Sequence, residues 1–234
     1  MELLLKILLY VGLIVGALVT LYLKARRRLE LMRFADAYGL DYAPHDPFAL
    51  VNLPFRLFAQ GEKRRVDNVL WGNWQGNPVK VFDYIYFDEG RNPTLWWRKH
   101  RTSFRRFNCA VVEVPGLAAF PPLRIRPEGV LSRLADHVGL RDIELESGEF
   151  NARFQVQASE RRFAYELIDA RMMRWLLSLT RPVSFEVAGR WILAYHGRVR
   201  PTALIPLIGS AAGFRERIPA VAMSLYGIEQ KEEA

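Results

Sequence analysis

Four carboxylates stand close together as Asp142, Glu144, Glu146 and Glu149. A spacing of two puts the first three on one face of an extended strand. Carboxylates held side by side raise one another's pKa, so such a row can hold a cation or divide the roles of general acid and base. Arg141 and Arg153 lie beside it, and a solvated strand face balanced by those arginines accounts for the pattern more simply. His45 and Asp46 have the types of a proton-handling pair, but Asp46 precedes Pro47, where Asp mostly closes a turn. Asp83 and Asp169 fall inside strongly apolar stretches. A charge in such surroundings needs a partner, and arginine is the expected one for both. Cys109 alternates with apolar neighbours and reads as a small buried residue, since a nucleophile would need a base that no spacing places beside it.

The familiar local signatures are missing. There is no G-x-x-x-x-G-K-[ST], no G-x-G-x-x-G after a strand, no H-E-x-x-H and no G-x-S-x-G. A structural zinc site needs about four Cys or His ligands. One cysteine and the scattered His45, His100, His137 and His196 do not supply them, so neither a metal nor a cofactor is expected.

A different chemistry is concentrated between Arg91 and Phe107. Arg91, Arg98, Lys99, Arg101, Arg105 and Arg106 occur there without an acid, interleaved with Trp96, Trp97, Phe104 and Phe107. Cations beside indoles suit an anionic lipid surface, where each positive charge contributes about 1 kcal/mol and Trp prefers the interface. Single-stranded nucleic acid would suit the same composition, with bases stacked on Trp. So would a plain connection between strands, its aromatics folded inward and its arginines solvated. Trp96, Trp97, Arg98, Lys99, Arg101, Arg105 and Arg106 are therefore the candidate anionic surface-binding residues, with lipid ranked above nucleic acid because of what precedes the folded part.

That preceding segment is Leu3 to Leu23, 21 residues whose only charge is Lys6. At about 1.5 Å per residue it spans roughly the 30 Å hydrocarbon core of a bilayer, and Lys6 can snorkel to the near interface. A cleaved signal peptide would carry a shorter apolar run and a small-residue cleavage site, whereas this run is followed by Lys24, Arg26, Arg27 and Arg28. A transmembrane helix is expected. The basic flank puts the N-terminus outside and the folded part in the cytoplasm, at the inner membrane. Gly12 and Gly16 form a small-xxx-small spacing that can seat a homodimer of the anchor.

The chain of 234 residues is 50% hydrophobic and 25% charged, which excludes a wholly disordered or collagenous protein. Its net charge of +8 is half accounted for by residues 1 to 28, at +4, so the excess is not by itself a nucleic-acid signal. With one cysteine, an intrachain disulfide is ruled out.

Beyond the span, Leu29 to Tyr38 continues as a helix closed by Gly39. Short strands follow: Val66 to Trp71 and Pro78 to Phe87 around a turn in residues 72 to 76, then Phe104 to Val114 and Leu123 to Arg126. Next come a short helix from Pro127 to His137 and strands near Ile143 to Glu146 and Phe154 to Gln157. Phe163, Leu167, Ala170, Met173 and Leu177 recur at helical spacing and predict one amphipathic helix from Ser159 or Glu160 to Leu179. A hairpin follows, Val183 to Val187 and Trp191 to Tyr195. Residues 201 to 226 read as a segment or short helix docked in the core, with interfacial membrane contact as the alternative. The fold class is α+β: an N-terminal transmembrane helix, then a mostly antiparallel sheet covered by one long amphipathic helix. The expected organisation is an anchor at 1–28, a folded part at 29–200 with a subdomain boundary near 115, and a docked C-terminal segment and tail at 201–234.

The runs DPFALVNLPFRLFAQGEKRRVDNVLWGNWQG, VKVFDYIYF, ESGEFNARFQV and RRFAYELIDARMMRWLL resemble a group of bacterial single-pass membrane-anchored proteins of unknown function. The likeness rests on Phe82 to Tyr84 closing a strand-turn-strand unit, on Glu149 to Phe154, and on the helix after them. It implies the architecture and no activity, cofactor or catalytic residue. Function then rests on the residues alone: a membrane-anchored, non-catalytic cytoplasmic module that binds a protein partner or an anionic lipid surface. The alternative is a membrane-tethered hydrolase using carboxylates such as Asp83 or those from Glu144 to Glu149.

Overall fold

A computed structural model of the chain describes residues 1–88, 103–114, 116–128 and 139–228. Most of the basic stretch at 91–107 and residues 129–137 of the helix expected at Pro127 to His137 lie outside the described residues; Pro127 itself ends a strand, so no helix begins there. Helix α1 (Glu2–Tyr38) is unbroken over 37 residues, about 55 Å at 1.5 Å per residue. Its two halves differ in what surrounds them. The N-terminal window is long and apolar enough to cross a membrane, and none of it is buried by the rest of the chain. Arg27, Leu31, Phe34 and Ala35 are buried, and their steps of four, three and one place them on a single face against the sheet. Gly39 ends the helix in the left-handed conformation at φ 63, where a Cβ would be strained.

The strands are β1 (Asp41–His45), β2 (Glu62–Trp74), β3 (Asn77–Asp88), β4 (Ser103–Glu113), β5 (Leu117–Ala118), β6 (Phe120–Pro127), β7 (Arg141–Ile143), β8 (Phe154–Ala158), β9 (Ser184–Gly189), β10 (Trp191–Gly197) and β11 (Gly227–Ile228). Nine of them form one sheet in the order β1-β2-β3-β4-β10-β9-β6-β8-β7, and β5 pairs with β11. Every pairing among the described residues is antiparallel. The β2–β3 hairpin turns at Gln75 and Gly76, both at positive φ, which matches the right-handed twist of the flanking strands. The sheet is α+β in class, as the sequence implies.

Both faces of the central strands are covered, which is why β3 and β4 read as nearly continuous apolar runs. Val79, Val81, Ala110, Val112, Ile192 and Ala194 join the core under the helices. Phe82, Tyr84, Cys109, Val111, Leu193 and Tyr195 join a second core, closed by Leu50, Phe55, Leu57 and Phe58 from two short 3-10 turns between β1 and β2. The period of two along β3 sends Asp83 to the same side as Val79 and Val81, toward α1.

The helical layer corrects one expectation. Helix α2 (Gly148–Arg153) is short, with Ser147 as its N-cap, and the long helix after it is two: α3 (Arg161–Leu167) and α4 (Ala170–Ser178). Ile168 leaves helical backbone, and the Asp169 carboxylate accepts from Met172 N at 2.7 Å. Asp169 thus caps a helix instead of pairing with arginine, and the apolar spacing of 163 to 177 continues across the break. Asp169→Ala is expected to cost about 1 kcal/mol in urea unfolding. Helix α5 (Leu204–Glu216) buries Leu204, Leu207, Ile208, Ala211 and Phe214 in the first core, with α6 (Ala220–Tyr226) after it. The apolar side chains of α5 therefore face the sheet, and not a membrane surface.

Candidate functional site

The buried polar centre lies where α1 meets the sheet. Asp83 on β3 is 3% exposed, and it accepts two hydrogen bonds from Arg27 on α1, from Nη2 at 2.6 Å and Nε at 2.7 Å. Asn108, its partner across β4 in the register, donates at 2.6 Å, and Asn68 of β2 donates at 3.0 Å. Asn68 reaches in because β2 is bulged there: the register shifts between Asp67 and Leu70, and Asn68 sits at φ 54. A bulge re-aims a side chain in this way. Arg27 also donates to Val199 O at 2.7 Å, and Asn108 accepts from Val199 N at the same distance. Helix α1 and strands β2, β3 and β4 are thereby tied at one carboxylate, and Arg27 and Asn108 fasten the strand exit after β10 to them. The arginine partner expected for Asp83 is present, 56 positions away in sequence.

Around this clamp opens a groove of about 1800 Å³ between α1 and the strand ends. Its lining holds nine cations, Lys24, Arg26, Arg27, Arg28, Arg33, Arg65, Arg106, Arg198 and Arg200, against the acids Glu30, Asp67 and Asp83. Arg26 is paired with Glu30 and Arg65 with Asp67, each at 2.9 Å, and Arg27 takes Asp83. Arg198 reaches Asp83 only at 3.7 Å. Burial lowers the Arg198 guanidinium from its ordinary value; Asp83 opposes this, and Arg27 and Arg106 add to it. The groove is a cationic site with an excess of charge.

A second buried polar group lies in the other core. Arg124 on β6 and Glu186 on β9 are register partners, 3.2 Å apart, and both are 3% exposed. Tyr195 O–H donates to Glu186 Oε1 at 3.3 Å and accepts from Arg124 Nη2 at 3.1 Å. Leu57 N donates to Glu186 Oε2 at 3.3 Å, fastening the crossing segment to the sheet. Burial pushes the Glu186 carboxyl up, with Arg124 the largest opposing influence. Arg124, Glu186 and Tyr195 are all buried, so the arrangement is closed to solvent.

The other sequence candidates are placed as follows. Strand β7 covers only Arg141–Ile143, so Asp142 alone of the acidic row lies on a strand. Asp142 accepts from Gln155 at 3.2 Å and from Gln157 at 3.0 Å, Glu149 occupies the first turn of α2, and Asp142, Glu144, Glu146 and Glu149 are all exposed. They do not converge. Among the described residues no three His, Cys, Asp or Glu side chains group as a metal site would require. Asp46 accepts from Phe48 N at 3.0 Å and Leu50 N at 2.6 Å, which is the turn chemistry expected of it. Cys109 is fully buried, and burial pushes its thiol well up, away from the reactive thiolate.

Of the basic-aromatic set, Trp96, Trp97, Arg98, Lys99 and Arg101 lie outside the described residues. Arg105 and Arg106, adjacent on β4, point to opposite faces: Arg105 meets Asp88 at 3.4 Å, and Arg106 lines the groove. A Cβ built at Gly12 or Gly16 meets nothing within 4 Å, so that face of α1 is open. Arg27 is the residue that sequence reasoning undervalued. Read along the sequence it is flanking charge, although its place four before Leu31 and seven before Phe34 puts it on the buried face. Asn68, Asn108 and Arg198 carried no local signal.

No protein-family model and no curated protein sequence matches the chain. Among solved structures, the crystal structure of the mycobacterial trehalose monomycolate transport factor A, TtfA, is similar over 88% of this chain and 98% of that one, with a TM-score of 0.61 at 14% identity. The likeness shows a shared fold.

Proposed function

We propose that the chain is a single-pass, membrane-anchored, non-catalytic module that binds an anionic lipid surface or a protein partner. Its first 28 residues are read as an anchor in the inner membrane, with the N-terminus outside and the folded part in the cytoplasm. The observation that carries this reading is the continuity of α1. One helix passes without a break from an unburied apolar stretch into the core, and Arg27, four residues beyond Leu23, is clamped by Asp83. A rise of about 6 Å separates the two, so the sheet is held close to the leaflet in a fixed orientation, not on a flexible tether. Lys24, Arg26, Arg27 and Arg28 following the span support the inside placement.

A binding role also agrees with the chemistry present. The exposed carboxylates are dispersed, the buried ones are paired or enclosed, and the cations gather in an open groove. The structural neighbour is named a transport factor, a part that need not react with what it helps to move. The basic-aromatic stretch at 91–107 remains the first candidate for surface contact.

Orientation is testable with single thiols, because the native Cys109 is buried. In intact spheroplasts, a membrane-impermeant maleimide is expected to label Glu2→Cys and to leave Ser224→Cys, exposed on α6, unlabelled until the cells are lysed. Labelling of Ser224→Cys in intact cells would contradict the orientation.

A further inference from the structure

We propose that the groove between α1 and the strand ends is a binding site for the headgroup of an anionic phospholipid drawn from the leaflet around the anchor. This deepens the membrane-anchored reading and rests on it. Three observations point to this occupant.

The first is charge. After the ion pairs inside the groove are counted, Lys24, Arg28, Arg33, Arg106 and Arg200 have no carboxylate within 4 Å among the described residues, and Arg198 is left sharing Asp83 with Arg27. These cations come from three separate parts of the chain, α1, β4 and the segment after β10, and converge on one space. A phosphate is the anion whose geometry guanidinium groups match, by paired N–H donors.

The second is the fixed frame. Arg198 N donates to Arg106 O at 3.1 Å, and Val199 is held on both sides by Arg27 and Asn108. The backbones carrying the guanidinium groups are therefore set before any ligand arrives, which reduces the ordering cost of binding. The third is where the groove leads. Its lining includes Thr20, Leu21 and Leu23, which belong to the apolar stretch of α1, together with Ile85 and Ile205. A ligand held there by phosphate has an apolar path toward the hydrocarbon for its acyl chains. A soluble phosphate compound would have no use for that wall.

The test uses the full-length protein in detergent and counts bound lipid by native mass spectrometry. With phosphatidylglycerol supplied, one tightly held molecule per chain is expected, against little or none with phosphatidylcholine. Arg106→Gln combined with Arg198→Gln should weaken phosphatidylglycerol binding about 25-fold, since each cation near an anionic headgroup is worth roughly fivefold. Neither side chain lies in a packed core, and a thermal melt matching the parent confirms that the variant folds. Equal binding of both lipids, or a double variant that binds as the parent does, would overturn the proposal. So would displacement by inorganic phosphate at equal concentration, which would assign the groove to a soluble anion. A loss of lipid selectivity with maleimide labelling still showing the N-terminus outside would remove the groove and leave the anchored module standing.

Discussion

Asp83→Ala is expected to lower the stability of the folded part by about 3–5 kcal/mol, because it strands the Arg27 guanidinium in a buried site with its main partner gone. For a chain of this size that is a fall of roughly 10 °C in the melting temperature of the full-length protein in detergent. The cost comes from breaking the pair, not from the pair's net worth. Arg27→Met with Asp83→Leu should therefore recover part of the loss by replacing two buried charges with apolar volume. Recovery stays incomplete, because Asn68 and Asn108 also donate to Asp83 and the Val199 carbonyl also accepts from Arg27. If Asp83→Ala cost less than about 1 kcal/mol, the clamp would be no more than a surface ion pair, and α1 would not be fixed by it.

Arg124→Met carries the second large effect, and it should depend on pH in a defined direction. The substitution removes the strongest influence holding the Glu186 carboxyl down, while the burial that pushes it up remains. At neutral pH the variant keeps a buried carboxylate without its cation, and a deficit of about 3–5 kcal/mol is expected. A carboxyl whose folded-state pKa lies above its unfolded value binds its proton more tightly when folded. Protonation therefore favours the fold: its stabilisation is complete below the ordinary glutamate value of about 4.3 and is lost as pH rises through the raised value. The deficit relative to the parent should accordingly narrow as the solution is acidified, in denaturant unfolding measured between pH 7 and pH 5. Adding Glu186→Gln to Arg124→Met should flatten that dependence. A deficit that does not change with pH would place its cause in packing and not in the stranded charge.

Much of the local structure was legible because its causes are local. The apolar run of α1, its end at Gly39, the β2–β3 and β9–β10 hairpins and the turn at Asp46 each follow from residues within a few positions of one another. The split between α3 and α4 was hidden for the same reason: the helical spacing of apolar residues runs through Ile168 and Asp169 without a change of phase, and only the capping chemistry of Asp169 marks the break. Helix α2 was missed because Ser147 and Phe150 make a single short turn, too brief to show periodicity. In the loop before it, Asn151 hydrogen-bonds both Leu145 N and Leu145 O, at 3.1 and 2.7 Å, so the Glu149 to Phe154 unit holds the backbone of the acidic row away from strand geometry.

The site was legible only by half. That Asp83 must be paired follows from its apolar surroundings. That its partner is Arg27 depends on a helix arriving from the far end of the chain, and the groove depends on β10 lying beside β4 although more than 70 residues separate them. Basic residues at 24–33, 106 and 198–200 are ordinary surface charges when read along the sequence. They become a site through the order of strands in the sheet.

A sheet held at a fixed orientation to the leaflet requires α1 to be one rigid piece from the apolar stretch to the sheet. Amide hydrogen exchange of the full-length protein in lipid nanodiscs reads this residue by residue. The amides of Leu31 to Ala35 are expected to exchange as slowly as those of Val81 and Val111 in the sheet core, and to lose protection together with them when denaturant is added. Exchange of residues 24 to 38 within minutes, while Val81 and Val111 stay protected, would reveal a hinge between anchor and sheet and contradict the account.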